Sequence, residues 1–406
     1  PTLPLHLMML TGWLNSLSVW QCAKNALPQW NQHLQQKSPS LNPELLGKTL
    51  EKEVKNHAAE VLEGISRYFN TAYQRDVPEP PVIWRKGAAR LLDYGTRYPS
   101  TRSGEAGRGA LSGKSEQVSP LPNLPPEREG KIVLFIPSLI NRYYILDLDK
   151  ERSLLRYLAS QGHHPLVLDW GKPSNTEEEY DCESYITKIL IPAIEYLAEK
   201  TRSKITLAGY CMGGVLSLAA AQLVAKHVAA LALLATPWNF HCDNFKPLIL
   251  DASYKQKMAE LLASGDMVPA EIIQTLFYLT DPWVFEQKFK RFAKLDQDGR
   301  AAKDFIALEH WVNDGIPMTS KMAQDCLIGW AQENALMRGA WRVAREVISP
   351  NKLKIPTYIT IPKNDHVVPY DCALPLAQLM KQAMVSVPKA GHVSMVVGAN
   401  AKRELW

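Results

Sequence analysis

The sequence predicts an α/β protein with a mostly parallel central sheet, a helical cap inserted between two of its strands and a helical amino-terminal region. Three observations predict it. Short, near-continuous apolar runs at 132–136, 165–168, 205–208, 229–235, 357–361 and 385–387 alternate with helical patterns at about 151–161, 183–199, 213–226 and 372–382. Such runs suit strands covered on both faces, with helices as crossovers. From about Phe240 to Pro350 the alternation stops: the pattern is helical, carries Trp283, Trp311, Trp330 and Trp341, and contains no convincing strand. Before Pro78 the pattern is helical throughout.

In chain order, Leu3, Leu7, Leu10, Leu14 and Leu17 fall at helical spacing, and no Asp, Glu, Lys or Arg occurs before Lys24. This segment lacks the positive start and small-residue cleavage site of a signal peptide. It reads as a helix with one apolar face, packed on its own protein or lying at an apolar surface. Leu45, Leu46, Leu50, Val54, Ala58, Val61, Leu62, Ile65, Tyr68 and Phe69 recur at three and four residues, and Pro78-Glu79-Pro80-Pro81 ends the region. Val82-Ile83-Trp84 and Arg90 to Tyr94 form a hairpin pattern around Gly87. Residues 98–128 are rich in Ser, Gly, Pro and Arg, a composition unable to bury a core, and read as a surface insertion. The expected organisation is therefore a helical region over 1–78, a core over 79–240 and 351–406 interrupted at 98–128, and a cap over 241–350.

Composition narrows the function classes. The 406 residues are 46% hydrophobic and 21% charged, ample for a large core. A formal charge of +5 without a long basic run gives no argument for nucleic-acid binding. No uninterrupted apolar run reaches the length of a transmembrane helix. The six cysteines, Cys22, Cys182, Cys211, Cys242, Cys326 and Cys372, form no C-x-x-C pair and no zinc-site spacing, so a reducing, cytoplasmic setting is the simpler reading. His163-His164 and His241-Cys242-Asp243 have metal-ligand types but no partner at a ligand spacing, so no metal is expected.

One cysteine stands apart. Gly209-Tyr210-Cys211-Met212-Gly213-Gly214 follows an apolar run directly and opens a helix. Glycines around the central residue permit a tight strand-to-helix turn that presents one side chain at a helix amino terminus, the nucleophile elbow, here with Cys instead of Ser. A helix amino terminus favours a thiolate, and the Met212 amide is placed for an oxyanion. Asp365, in Lys363-Asn364-Asp365-His366-Val367-Val368-Pro369, and His392, in Ala390-Gly391-His392, each follow a later strand. Nucleophile, acid and histidine in that order, each past a strand end, are the arrangement of the α/β-hydrolase fold. His366 is expected to pack or hydrogen-bond beside the acid. The loop after the first long strand, starting Pro137-Ser138-Leu139, offers Ser138 and Leu139 as second oxyanion-hole donors by position.

Beyond the elbow, Ile140-Asn141-Arg142-Tyr143-Tyr144-Ile145-Leu146-Asp147-Leu148, Ser153-Leu154-Leu155-Arg156-Tyr157-Leu158, Gln161-Gly162-His163 and Asp169-Trp170-Gly171-Lys172-Pro173 resemble the corresponding segments of polyhydroxyalkanoate synthases. So do the Cys211 elbow, Asp365-His366-Val367-Val368-Pro369 and Gly391-His392, and Leu308 to Asp314 resembles the cap of the shorter synthases. The resemblance is close over about 131–240 and 350–398, looser in the cap and slight before residue 80. The cap lacks the Trp-Asn-x-Asp stretch of the larger synthases, and the 98–128 insertion is foreign to the pattern.

The resemblance implies an acyltransferase that moves 3-hydroxyacyl groups from coenzyme A thioesters, through a covalent Cys211 intermediate, onto a growing polyester, with no cofactor beyond the acyl-CoA substrate. It implies a cytoplasmic protein at a polyester granule surface, compatible with a homodimer or a partner subunit. Two alternatives stay open on the residues: a thioesterase or esterase with the same Cys211, Asp365 and His392, and a non-catalytic granule-binding subunit.

Overall fold

A computed structural model describes residues 43–95 and 131–406, apart from 175, 244, 246–248, 251, 264, 266 and 281. The expected helix over Leu3–Leu17, Cys22 and the 98–128 insertion lie outside the described residues. Twelve strands are described: β1 (Val82–Lys86), β2 (Ala89–Asp93), β3 (Ile132–Ile136), β4 (His164–Asp169), β5 (Ile205–Tyr210), β6 (Val228–Leu234), β7 (Met267–Val268), β8 (Met318–Thr319), β9 (Arg342–Val343), β10 (Glu346–Val347), β11 (Thr357–Thr360) and β12 (Met384–Ser386). Eight of them form one sheet in the order β1-β2-β4-β3-β5-β6-β11-β12.

The hairpin β1/β2 and the pair β2/β4 are antiparallel, and every other neighbouring pair in this sheet is parallel. Parallel pairing needs crossovers, and the buried runs supply their cover. Leu134 and Ile136 of β3, Leu207 of β5 and Leu233 of β6 are fully buried. The register pairs Ile136 with Gly209, Tyr210 with Leu234, and Thr360 with both Leu234 and Ser386. The carboxyl ends of β3, β5, β6, β11 and β12 therefore lie along one edge, where ligands bind in open sheets of this kind.

Among the described residues, 76–95, 131–270 and 314–406 cluster as one compact unit around this sheet, and 271–313 cluster with 43–75 as a second. In the second unit, helix α1 (Pro43–Phe69) packs on a helix over Pro282–Ala293. Val61, Ile65 and Tyr68 share a core with Phe289, Phe292, Ala302 and Ile306. A Cβ at Gly64 would collide with the Phe289 carbonyl oxygen, so glycine there permits the close helix contact. Glu60, gripped by Lys290 at 2.8 Å and Lys294 at 2.9 Å, has its carboxyl lowered to about 2 by those hydrogen bonds and charges. The 241–350 segment, read from the sequence as one cap, is thus divided between the units. It also holds the antiparallel pairs β7/β8 and β9/β10 where no strand was expected, because two-residue strands are too short to show a periodicity.

The Ile140 to Leu148 motif builds the floor of the loop after β3. Tyr143 to Leu146 form one 3₁₀ turn with Tyr143, Ile145 and Leu146 buried. The loop is clasped to 314–316: Tyr144 Oη donates to Asp314 Oδ2 at 2.9 Å, and the Ile316 amide donates to the Ile140 carbonyl at 2.8 Å. Behind it, the fully buried Asp147 accepts Arg156 Nε at 2.7 Å, Arg156 Nη2 at 3.1 Å and Tyr94 Oη at 2.9 Å. Ser153 caps the helix Leu154–Ser160 by accepting the Arg156 amide at 3.0 Å. The residues singled out as a motif thus hold together the platform under Ser138 and Leu139.

Arg156→Met should leave the Asp147 carboxylate buried with its main charge partner gone, at a cost of about 3 kcal/mol. Urea denaturation checks this: the midpoint should fall with the slope unchanged, and an unchanged midpoint would remove the platform role.

Candidate active site

Cys211 follows β5 directly and precedes the helix Met212–Leu223, with φ 57° and ψ −128°. A non-glycine residue in that region is strained and persists only where its surroundings over-determine it. The Cys211 amide donates to the Leu234 carbonyl at 2.8 Å, and the Gly214 amide donates to the Cys211 carbonyl at 2.9 Å. The neighbouring glycines are required by space: a Cβ at Gly213 would collide with the Ile136 carbonyl, and one at Gly214 with the Thr236 side chain. This close approach sets the first turn of the helix against the loop that begins at Pro137.

Asp365 lies in the loop after β11. Its Oδ1 accepts the amides of Val367 at 2.8 Å and Val368 at 2.7 Å, which leaves Oδ2 for His392 Nδ1 at 2.7 Å. His392 lies in the loop after β12, near enough to Cys211 for the two to interact electrostatically. The loops of acid and histidine are zipped together, the Lys363 amide donating to the Pro388 carbonyl at 2.9 Å and the Asn364 amide to the Ala390 carbonyl at 3.0 Å. Asp365 and His392, separated by 27 positions in the chain, thereby meet, and Cys211, Asp365 and His392 are all buried.

Burial by itself pushes the His392 imidazole down. The charges of Asp365 and Cys211, and the hydrogen bond to Asp365, outweigh this and raise it to about 10. The site therefore favours the protonated form of His392.

Of the other sequence candidates, Met212 is buried at the start of its helix, where its amide belongs to the helix amino terminus. Leu139 is buried, and Ser138 Oγ accepts the Ile140 amide at 3.2 Å, which shapes the loop beside that terminus. His366 is exposed next to the acid. His164 pairs with the buried Asp93 at 2.7 Å, and His241 contacts the Gln332 carbonyl at 3.0 Å. Among the described residues, no group of three or more His, Cys, Asp or Glu is set to hold a metal ion, and no helix is long and apolar enough to cross a membrane.

Two neighbours of the site carry no sequence signal of their own. Cys326 lies in a π-helical stretch, Asp325–Gln332, and its thiol is pushed well up by burial, then by Asp325 and Cys211. Tyr210, next to Cys211, donates its hydroxyl to the His392 carbonyl at 3.2 Å, with ring centroids 5.1 Å apart.

Comparison with known proteins follows the same line. The chain is similar to the poly(3-hydroxyalkanoate) polymerase subunit of Haloferax mediterranei, 27% identical over 281 residues that cover 68% of this chain and 56% of that protein. It is similar to the same subunit of Allochromatium vinosum, 25% identical over 69% of this chain and 79% of that protein. The chain thus spans just over half the length of the Haloferax relative. Among solved structures, the thioesterase domain from the curacin biosynthetic pathway aligns with 81% of this chain and 99% of its own at 14% identity and a TM-score of 0.46. Residues 131–399 match the family described as alpha/beta hydrolase fold. Because that segment takes in the whole parallel part of the sheet, the chain belongs to the α/β-hydrolase fold family.

Proposed function

We propose that the protein is an acyltransferase of the polyhydroxyalkanoate synthase kind, which moves 3-hydroxyacyl groups from coenzyme A thioesters onto a growing polyester through Cys211. What supports this reading is the buried Asp365–His392 hydrogen bond together with the strained, buried turn at Cys211, a cysteine where hydrolases of this fold have serine. The names of the relatives at 24–28% identity supply the substrate class.

His392, oriented by Asp365, takes the Cys211 proton, and the thiolate attacks the thioester carbonyl. The developing oxyanion is met by the Met212 amide, with Ser138 or Leu139 supplying a second donor, and coenzyme A leaves with the proton from His392. The hydroxyl of another acyl unit then attacks the Cys211 thioester. Its proton returns to His392 as the ester bond forms and the thiolate is released. Thioester exchange on cysteine is nearly isoenergetic, so acylation costs little, and a buried thioester is shielded from water. The mechanism calls for no metal or further cofactor. Growth of an insoluble product would bring the protein to a granule surface.

Incubation with 3-hydroxybutyryl-CoA while following coenzyme A release and turbidity tests the reading. Release with rising turbidity supports a polymerase; release with free 3-hydroxybutyrate and no turbidity makes the protein a thioesterase; no release makes it a binding subunit. Cys211→Ala should lower coenzyme A release by about a thousandfold or more, Cys211→Ser should be strongly impaired, and Cys242→Ala should stay within about threefold of the wild type. Comparable turnover in Cys211→Ala would end the covalent mechanism.

The two partners of Cys211 should separate in single-turnover labelling with radioactive acyl-CoA. His392→Ala should fail to label, since the local base is gone, whereas Asp365→Asn should label slowly and stall before elongation. Equal loss of labelling in both would leave Asp365 a purely orienting group.

The raised imidazole also predicts a pH dependence of stability. A His392 raised from 6.5 to about 10 binds its proton more tightly in the folded state, so its stabilisation is complete below about pH 6.5 and is lost as pH rises through about 10. Urea midpoints of wild type and His392→Gln, compared from pH 6 to about pH 10.5, should converge as pH rises. A gap that widens would contradict the imidazolium.

A further inference from the structure

His392 is gripped at a second point that the proposed chemistry does not use. Its backbone carbonyl accepts the Tyr210 hydroxyl at 3.2 Å, and the Tyr210 ring lies against the imidazole with centroids 5.1 Å apart and planes inclined at 33°. Tyr210 is the last residue of β5 and the neighbour of Cys211 in the chain. It is 2% exposed, and its phenol is pushed well above its ordinary value by burial, then by Cys211 and Asp365. It therefore stays a neutral donor.

The other anchors of the histidine loop lead elsewhere. The Pro388 and Ala390 carbonyls accept amides from the acid loop, and the Gly391 amide donates to Ser394 Oγ at 2.8 Å. These fix His392 relative to Asp365. One hydrogen bond at Nδ1 still leaves the imidazole free to tilt about that contact, and a tilt carries the opposite ring edge away from Cys211. Tyr210 opposes this twice, since its ring flanks the imidazole and its hydroxyl ties the His392 backbone to the strand that carries the nucleophile. A phenylalanine would fill the same space. A hydroxyl in so buried a place is costly unless it has an acceptor, and the acceptor it has is the histidine's own carbonyl.

We propose that Tyr210 is a positioning residue that holds the His392 imidazole in register with the Cys211 thiol, by hydrogen-bonding the His392 carbonyl and packing on its ring. This rests on the reading of Cys211 as the nucleophile, and the experiment keeps the two apart. Coenzyme A release from 3-hydroxybutyryl-CoA is measured for wild type, Tyr210→Phe, Tyr210→Leu and Cys211→Ala, with thermal melting of each. Tyr210→Phe should lower kcat about fivefold to tenfold with KM within about twofold, and Tyr210→Leu should lower kcat about tenfold further. The rate at which iodoacetamide modifies Cys211, located by peptide mass spectrometry, should fall in the same order.

Wild-type kcat and alkylation rate in Tyr210→Phe, with Cys211→Ala inactive, would overturn the positioning role and leave the nucleophile standing. Turnover in Cys211→Ala would overturn the reading of the site itself. A fall in melting temperature with kcat unchanged would make Tyr210 a core residue and overturn the proposal. Should Tyr210→Phe not fold, 3,5-difluorotyrosine at position 210 keeps the shape and alters the donor: a changed kcat supports the proposal, and an unchanged one overturns it.

Discussion

The hydrogen bond of 2.7 Å between Asp365 Oδ2 and His392 Nδ1 sets the terms for the rest of the site. A carboxylate sealed from water is tolerable only if its oxygens are satisfied, and here two amides take one oxygen and the imidazole the other. Asp365 therefore has no freedom to turn away, and the ring it faces is held at its Nδ1. The histidine gains a proton affinity that burial alone would have denied it.

That arrangement depends on strand register as much as on side chains. The parallel pairing of β5, β6, β11 and β12 brings four strand ends to one line, and the loops that leave β5, β11 and β12 carry the three residues. The strained turn at Cys211 is held by the Leu234 carbonyl on the neighbouring strand and by two glycines with no room for a side chain. The I-N-R-Y-Y-I-L-D-L segment, the strongest family signature in the sequence, does its work one step further out. Asp147, Arg156 and Tyr94 lock together behind the loop after β3, and the clasp to 314–316 holds its front. A family signature can thus mark the scaffold of a site while the reacting groups lie in shorter motifs.

The difference between a polymerase and a hydrolase of this fold lies in what reaches the acyl-enzyme second. The burial of Cys211 and His392 acts against water. The apolar setting also includes Cys326, whose thiol is kept protonated by the same desolvation.

Much of this was legible in the sequence, because it depends on local pattern. Apolar runs specify buried strands, glycines around Cys211 specify a tight turn, and the order of nucleophile, acid and histidine follows from the order of strands in the fold. The hairpin at Gly87 and the six later strands of the sheet lie within about a residue or two of their sequence positions. What the tertiary structure decided are contacts between residues far apart in the chain. Tyr210 and His392 are separated by 182 positions, and neither residue type nor spacing announces that one will hold the other. The same holds for Phe289 and Phe292: the sequence shows that they must be buried, but only packing shows that they share a core with Val61 and Ile65 of α1. Hydrophobicity is non-directional, so a sequence determines which faces must leave water, while shape and hydrogen-bond geometry between distant elements decide what each face meets.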